Sequence, residues 1–281
     1  MASPTELQTN AHLELMAQKL RKTILTMIHQ AASGHPGGSL SAADIVAVLY
    51  FDELRVDPKQ PQWPDRDRFV LSKGHVCPVL YSALALKGYF PMEVIHTLRK
   101  EGSILQGHPD MKRCPGIDIS TGSLGQGLST AVGMALAGKR DNKDYRVYCL
   151  IGDGESQEGQ IWEAVMSAVK YQLDNLVIIV DNNGLQNDDT CDVVMPLGDL
   201  EAKFEAFGCN VQAIDGHSIP HIRAAFAATR KKENSGKPHC IVAKTVKGKG
   251  VSFMENVVSW HGTAPNQQQF DLAIQEIGEQ Q

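Results

Sequence analysis

The chain has 281 residues, 42% of them hydrophobic and 21% charged, which supplies a full core and excludes a disordered tail, a coiled coil and a mini-protein. Its 27 Lys and Arg against 32 Asp and Glu give a formal net charge of -5, a balance that recommends neither nucleic acid nor an anionic membrane as partner. Six dispersed cysteines (Cys77, Cys114, Cys149, Cys191, Cys209, Cys240), no export signal and no membrane-length apolar run predict a cytoplasmic protein with reduced thiols.

Leu13, Met16, Leu20, Ile24 and Met27 recur at helical spacing and predict a first helix over residues 10–32. It ends in Ser33-Gly34-His35-Pro36-Gly37-Gly38, which reads as a tight, exposed loop. Ser41 and Asp44 then fit a capping box that opens a second helix running through Tyr50. A short strand at Phe69-Val70-Leu71 feeds into Ser72-Lys73-Gly74-His75, and helices follow over 78–87 and 91–100. Residues 101–127 are glycine-rich with little periodicity, as expected near a ligand or a tight interface. A helix over Gly125–Gly138 carries Ala131, Gly133, Ala135 and Ala137, small residues that admit a close neighbour.

The centre alternates strand and helix: a strand over Arg146–Ile151, a helix over 158–171 and a five-residue apolar strand over Leu176–Val180. After a loop over 182–198 come a helix over 200–207, a strand over 210–214, a helix over 219–232 and a strand over 240–244. Continuous rather than alternating hydrophobicity suits parallel strands covered on both faces. The expected fold is therefore α/β, an open, mostly parallel sheet with helices on both faces, in one domain over 1–281 with an extension over 245–281.

Gly152-Asp153-Gly154-Glu155 follows one strand directly, and Asp181-Asn182-Asn183 follows the next. Ligands of open α/β sheets sit outside the carboxyl ends of the strands, so the two segments are placed to share a site. Aspartate and asparagine oxygens suit one Mg2+ together with a backbone carbonyl, phosphate oxygens and water, and glycines let the backbone approach a diphosphate. Taken alone, Gly152-Asp153-Gly154 fits an ordinary turn equally well. The phosphate loop of nucleoside triphosphatases and the full dinucleotide fingerprint are both missing.

These segments, with Gly107-His108-Pro109, Thr121-Gly122-Ser123-Leu124-Gly125-Gln126-Gly127 and Trp260-His261-Gly262, resemble the N-terminal, diphosphate-binding part of the transketolase family. The resemblance covers nearly the whole chain and is greatest to the shorter subunit of split transketolases. It implies thiamine diphosphate with Mg2+ (or Ca2+ or Mn2+), the metal held by Asp153, Asn183 and the backbone carbonyl of Leu185. Gly152, Gly154, Glu155 and His75 then surround the cofactor diphosphate, Gly122 and Leu124 lie along the cofactor, and Glu158 lies at the cofactor-rich subunit interface. The resemblance makes His35, His108 and His261 the catalytic residues, which bind sugar hydroxyls and move protons, work suited to imidazole near neutral pH.

The implied activity is transfer of a two-carbon ketol unit from a ketose phosphate to an aldose phosphate. The pyrimidine-binding domain and its activating glutamate are absent from the chain and are expected on a C-terminal partner subunit, two copies of each forming an α2β2 heterotetramer. A sulfonated or branched sugar phosphate, another thiamine-dependent synthase or decarboxylase reaction, and a non-catalytic partner role are the alternatives.

His12, His29, His96, His217, His221 and His239 read as surface or structural, and Lys244, Lys247 and Lys249 as a charged surface loop or a phosphate neutraliser. Asp189, Cys77 and Cys209 depart from the family pattern, Asp189 with an effect on either substrate preference or loop shape.

Overall fold

The computed structural model describes residues 4–231 and 236–279. Five strands, β1 (Arg68–Leu71), β2 (Val147–Gly152), β3 (Leu176–Asn182), β4 (Asn210–Asp215) and β5 (His239–Lys244), form one sheet in the order β1-β2-β3-β5-β4. Every pairing is parallel, with Ile151 opposite Val180 and Val180 opposite Val242 in the middle of the sheet. Successive residues of β3 feed two cores: Val177 and Ile179 join one, Ile178 and Val180 the other. Both faces of the central strands are thus covered, which is why β2 and β3 read as apolar runs, whereas the edge strand β4 is mixed and partly exposed.

One core packs α1 (Pro4–Ala31), α4 (Cys77–Lys87) and α9 (Ile219–Ala228) on the sheet; the other packs α5 (Gln126–Arg140), α6 (Gly159–Lys170) and α8 (Leu200–Ala206). All five apolar positions that predicted α1 are buried. On α5, Ala131, Ala135 and Gly138 face the core, whereas Gly133 and Ala137 are exposed. The C-terminal extension is integral to the domain: α10 (Gln267–Glu279) lies on α1, and its Ala273 and Ile277 are fully buried. All six cysteines are buried and free. No helix among the described residues is long and apolar enough to cross a membrane.

Three expectations need correction. The segment after α1 is not an exposed loop, because α2 (Pro36–Ser41) starts there, with proline in its first turn and every residue buried. Its glycines are required by proximity: a Cβ on Gly37 would lie 2.9 Å from both the Lys247 side chain and the Trp260 carbonyl. Ser41 and Asp44 make no capping box, since the Ser41 hydroxyl donates to Gly38 O and Asp181 Oδ2, while Asp44 pairs with Arg21. Accordingly, α3 (Ala43–Val48) begins only after Ala42 and continues as a π turn over Leu49–Glu53. The helix expected over 91–100 is a 3-10 segment, Met92–Thr97, and the loop over 182–198 contains one short helix, α7 (Cys191–Val194).

Candidate active site

A cleft of about 390 Å³ opens at the carboxyl ends of the strands. It is lined by His35 ahead of α2, His75 after β1, His108, Gly122 and Leu124 before α5, Gly152 to Glu155 and Glu158 after β2, Asn183 and Leu185 after β3, and His261 before α10. The structure therefore brings every expected site residue to one place. The loops interlock tightly there: a Cβ on Gly74 would lie 2.8 Å from the Gly122 nitrogen and the Thr121 carbonyl carbon.

Asp153 is buried, its Oδ1 accepting from Gly154 N at 2.8 Å and its Oδ2 from Gly184 N at 2.5 Å. Burial, with the Asp181 charge nearby, pushes its carboxyl above the ordinary range. Asn183 Oδ1 accepts from Leu185 N at 3.1 Å, so the loop after β3 presents an amide oxygen and the Leu185 carbonyl beside the Asp153 carboxylate of the loop after β2. Among the described residues no cluster of three or more His, Cys, Asp or Glu is arranged to hold a metal. A metal here would rest on this mixed set of hard oxygens, whose chemistry fits Mg2+ or Ca2+.

Asp181 is not free to join them. It is fully buried and accepts from Lys73 Nζ, from Thr245 Oγ1 and, at 2.5 Å, from Ser41 Oγ. Burial raises its carboxyl, but the Lys73 ammonium and the hydrogen bonds from Lys73, Ser41 and Thr245 together hold it below the usual range.

Glu155 lines the cleft and braces the loops around it. Its Oε1 accepts from Ser72 Oγ at 2.5 Å and Gly125 N at 2.9 Å, and its Oε2 from Gly152 N at 3.1 Å, so both oxygens are spent on the protein. Glu158 stands exposed at the rim, at the N-cap of α6.

Three imidazoles form a cluster in which His75 and His261 stack and His35 meets both edge-on. Ring centroids lie 5.1 Å apart for His35 and His75, 5.2 Å for His75 and His261, and 5.5 Å for His35 and His261. Burial first, and then neighbouring cations, hold His35 to about 4, His75 to about 2 and His261 to about 3; burial and Arg99 lower His108 as well. All four rings are neutral at pH 7, so each presents one donor and one acceptor. The buried His35 Nδ1 has no partner among the described residues and is the polar atom left open to a ligand.

Two lysines join the site: Lys73, which is not among the expected site residues, and Lys247, for which phosphate neutralisation is one of two readings. Lys247, one of the three residues of the basic loop, is 2% exposed, and its Nζ donates to Leu185 O at 3.0 Å, Gln186 O at 3.1 Å and His261 Nδ1 at 2.7 Å. That last bond leaves the His261 proton on Nε2. Burial, then the Lys73 charge, lowers Lys247 to about 8. Lys73 also lines the cleft, buried against Asp181. The available signal was position, for Lys73 stands inside Ser72-Lys73-Gly74-His75 directly after a strand. Lys249 pairs with Glu255 at 3.4 Å and Lys244 is exposed, so the surface reading holds for these two. Asp189 is exposed outside the cleft, and its carboxylate accepts from Thr190 N at 2.7 Å.

Residues 13–280 match the family model described as transketolase, thiamine diphosphate binding domain. The chain belongs to this family. It is 47% identical over 265 residues to the 6-deoxy-6-sulfo-D-fructose transketolase subunit SqwG of Clostridium sp. (strain MSTE9), covering 94% of this chain and 96% of that one. It is 44% identical to an apulose-4-phosphate transketolase subunit of Phocaeicola vulgatus, covering 95% and 94%. A crystal structure of transketolase from Campylobacter jejuni superposes with a TM-score of 0.90 at 36% identity, over 95% of this chain and 42% of that longer one. Alike from end to end to such separate subunits, the chain is the N-terminal subunit of a two-subunit transketolase.

Proposed function

We propose that the cleft holds thiamine diphosphate through a divalent cation, and that with a C-terminal partner subunit the chain transfers a two-carbon ketol unit from a phosphorylated or sulfonated ketose to an aldose. One observation carries this reading: a cluster of neutral imidazoles shares a cleft with a hard-oxygen set and two buried lysines. Asp153, Asn183 and the Leu185 carbonyl would hold the metal, and Lys73 and Lys247 would offset diphosphate charge. When bound, the cofactor supplies a thiazolium ring that accepts the electron pair of the cleaved carbon–carbon bond.

Everything else asked of this chain is proton handling and orientation. His35, His75 and His261 stay uncharged at working pH, so they can accept a hydroxyl proton on one nitrogen and donate from the other. Of the three, His261 is held as a donor, because Lys247 occupies its Nδ1 and leaves the proton on Nε2. His108, packed against Gly122, would contact the sugar beside His35. The partner subunit supplies the activating glutamate, and we infer two copies of each polypeptide around two shared sites. The buried free thiols support a reducing compartment, the cytoplasm.

The two-subunit relatives are named for a sulfonated sugar and for apulose 4-phosphate. Donor choice is therefore tested with xylulose 5-phosphate, 6-deoxy-6-sulfofructose and apulose 4-phosphate side by side. The chain, its C-terminal partner and their mixture are assayed with Mg2+ and thiamine diphosphate, and cofactor binding is followed by calorimetry. Ketose cleavage in the mixture alone is the expected result. Tight cofactor binding by the mixture with none of the three ketoses cleaved would reject ketol transfer in favour of a different thiamine-dependent reaction.

A further inference from the structure

Behind the wall of the cleft that carries Lys247 lies a buried polar chain of Arg21, Asp44 and His217. Arg21 on α1 donates to both oxygens of Asp44 on α3, at 3.1 and 2.5 Å, and the two residues are 7% and 6% exposed. Asp44 Oδ2 in turn meets His217 Nδ1 at 2.7 Å, on the turn between β4 and α9. Burial raises the Asp44 carboxyl, but Arg21 and His217 together hold it below the usual range, so it stays ionised.

Both ends of this chain grip the Lys247 loop. The Val246 N–H donates to His217 Nε2 at 2.8 Å, which requires the His217 proton on Nδ1, facing Asp44. Arg21 Nε donates to Lys249 O at 3.1 Å. The two grips fall on either side of Lys247. The three side chains line a separate hollow against α1 and α10, outside the cleft.

We propose that Arg21, Asp44 and His217 are positioning residues for the reaction: they fix the backbone around Lys247, so that its ammonium bridges the Leu185 carbonyl and His261. A buried ion pair adds little net stability against apolar residues of the same volume, whereas its geometry is directional. Here the direction is spent on the Val246 amide and the Lys249 carbonyl, the flanks of the one buried lysine in the basic loop. This inference rests on the reading of the cleft as the diphosphate site.

The test uses the full chain together with its C-terminal partner and compares His217→Gln with His217→Asn. Glutamine carries its amide far enough to accept from Val246 N–H; asparagine stops short of it while still reaching Asp44. Thiamine diphosphate affinity is measured by calorimetry with Mg2+, kcat with saturating cofactor, and the melting temperature without cofactor. His217→Asn is expected to weaken cofactor affinity at least tenfold and to lower kcat with KM for the ketose little changed, while His217→Gln stays within threefold of wild type. A merely structural histidine would shift melting in both variants and leave affinity alone. Wild-type affinity in His217→Asn, or an equal loss in both variants, overturns the proposal. Should His217→Asn fail to fold, Arg21→Lys, which cannot grip both Asp44 and the Lys249 carbonyl, is expected to show the same tenfold loss, and wild-type affinity there overturns it. A wild-type pair that binds no thiamine diphosphate would reject the reading of the cleft instead.

Discussion

Glu155→Gln separates a brace from a ligand. Oε1 takes two donors and Oε2 takes one, all out of water. The amide oxygen of glutamine can keep Ser72 and Gly125, but its NH2 then faces the Gly152 N–H. A buried donor without an acceptor costs about 1–3 kcal/mol, and the two remaining bonds lose their charge assistance, about 1 kcal/mol together. Burial already disfavours the carboxylate, so the neutral amide recovers part of this loss. The net loss is about 2 kcal/mol, which in a chain of this size lowers the melting temperature by about 3–4 °C. Calorimetric melting of the cofactor-free protein measures it directly. An unchanged melting temperature together with lost thiamine diphosphate affinity would show that Glu155 contacts the cofactor, and would refute the brace.

Lys247→Met keeps length but removes the charge, and is expected to weaken thiamine diphosphate binding at least tenfold in a calorimetric titration; thiamine itself, which lacks the diphosphate, should be unaffected. Asp153→Asn is expected to abolish the response of cofactor affinity to Mg2+ and EDTA, and a variant that still responds would move the metal elsewhere. Gly74→Ala drives a Cβ onto backbone at 2.8 Å and should destabilise the protein by about 1–3 kcal/mol in urea unfolding. His75 is held to about 2 when folded against 6.5 free, so below pH 6.5 the unfolded chain takes up a proton that the folded one refuses. Stability is then complete above about pH 6.5 and falls by about 1.4 kcal/mol per pH unit below it from this ring. His75→Gln should flatten that slope, and equal slopes in both proteins would contradict the assignment.

Sequence was most informative where one residue's surroundings are supplied by its neighbours in the chain. Strands β2 and β3 are apolar runs closed by Gly152 and Asp181, and the ligand-facing residues follow immediately. The cleft histidines sit in glycine- and proline-rich segments that already mark special backbone. Where the decisive partner is distant, the same reasoning misleads. Gly37 and Gly38 look like loop residues until Lys247, Trp260 and Val76 are packed against them. Ser41 and Asp44 have the spacing of a cap, but Asp181 and Arg21 claim their side chains. Glu155 belongs to the diphosphate motif, yet its donors come from three separate segments. Lys247 looks like any lysine among glycines, because only the loop after β3 and the turn holding His261 bury it.

The rings of His35 and His261 meet edge to face, and all five strands lie between them in sequence. Contacts of such long sequence separation form only after the intervening loop entropy has been overcome, so the cleft is absent from any species that holds helices and a partial sheet alone. In refolding, helical signal should thus return well before any capacity to take up the cofactor. During synthesis the same topology means that a nascent chain cannot complete the cleft until His261 has left the ribosome.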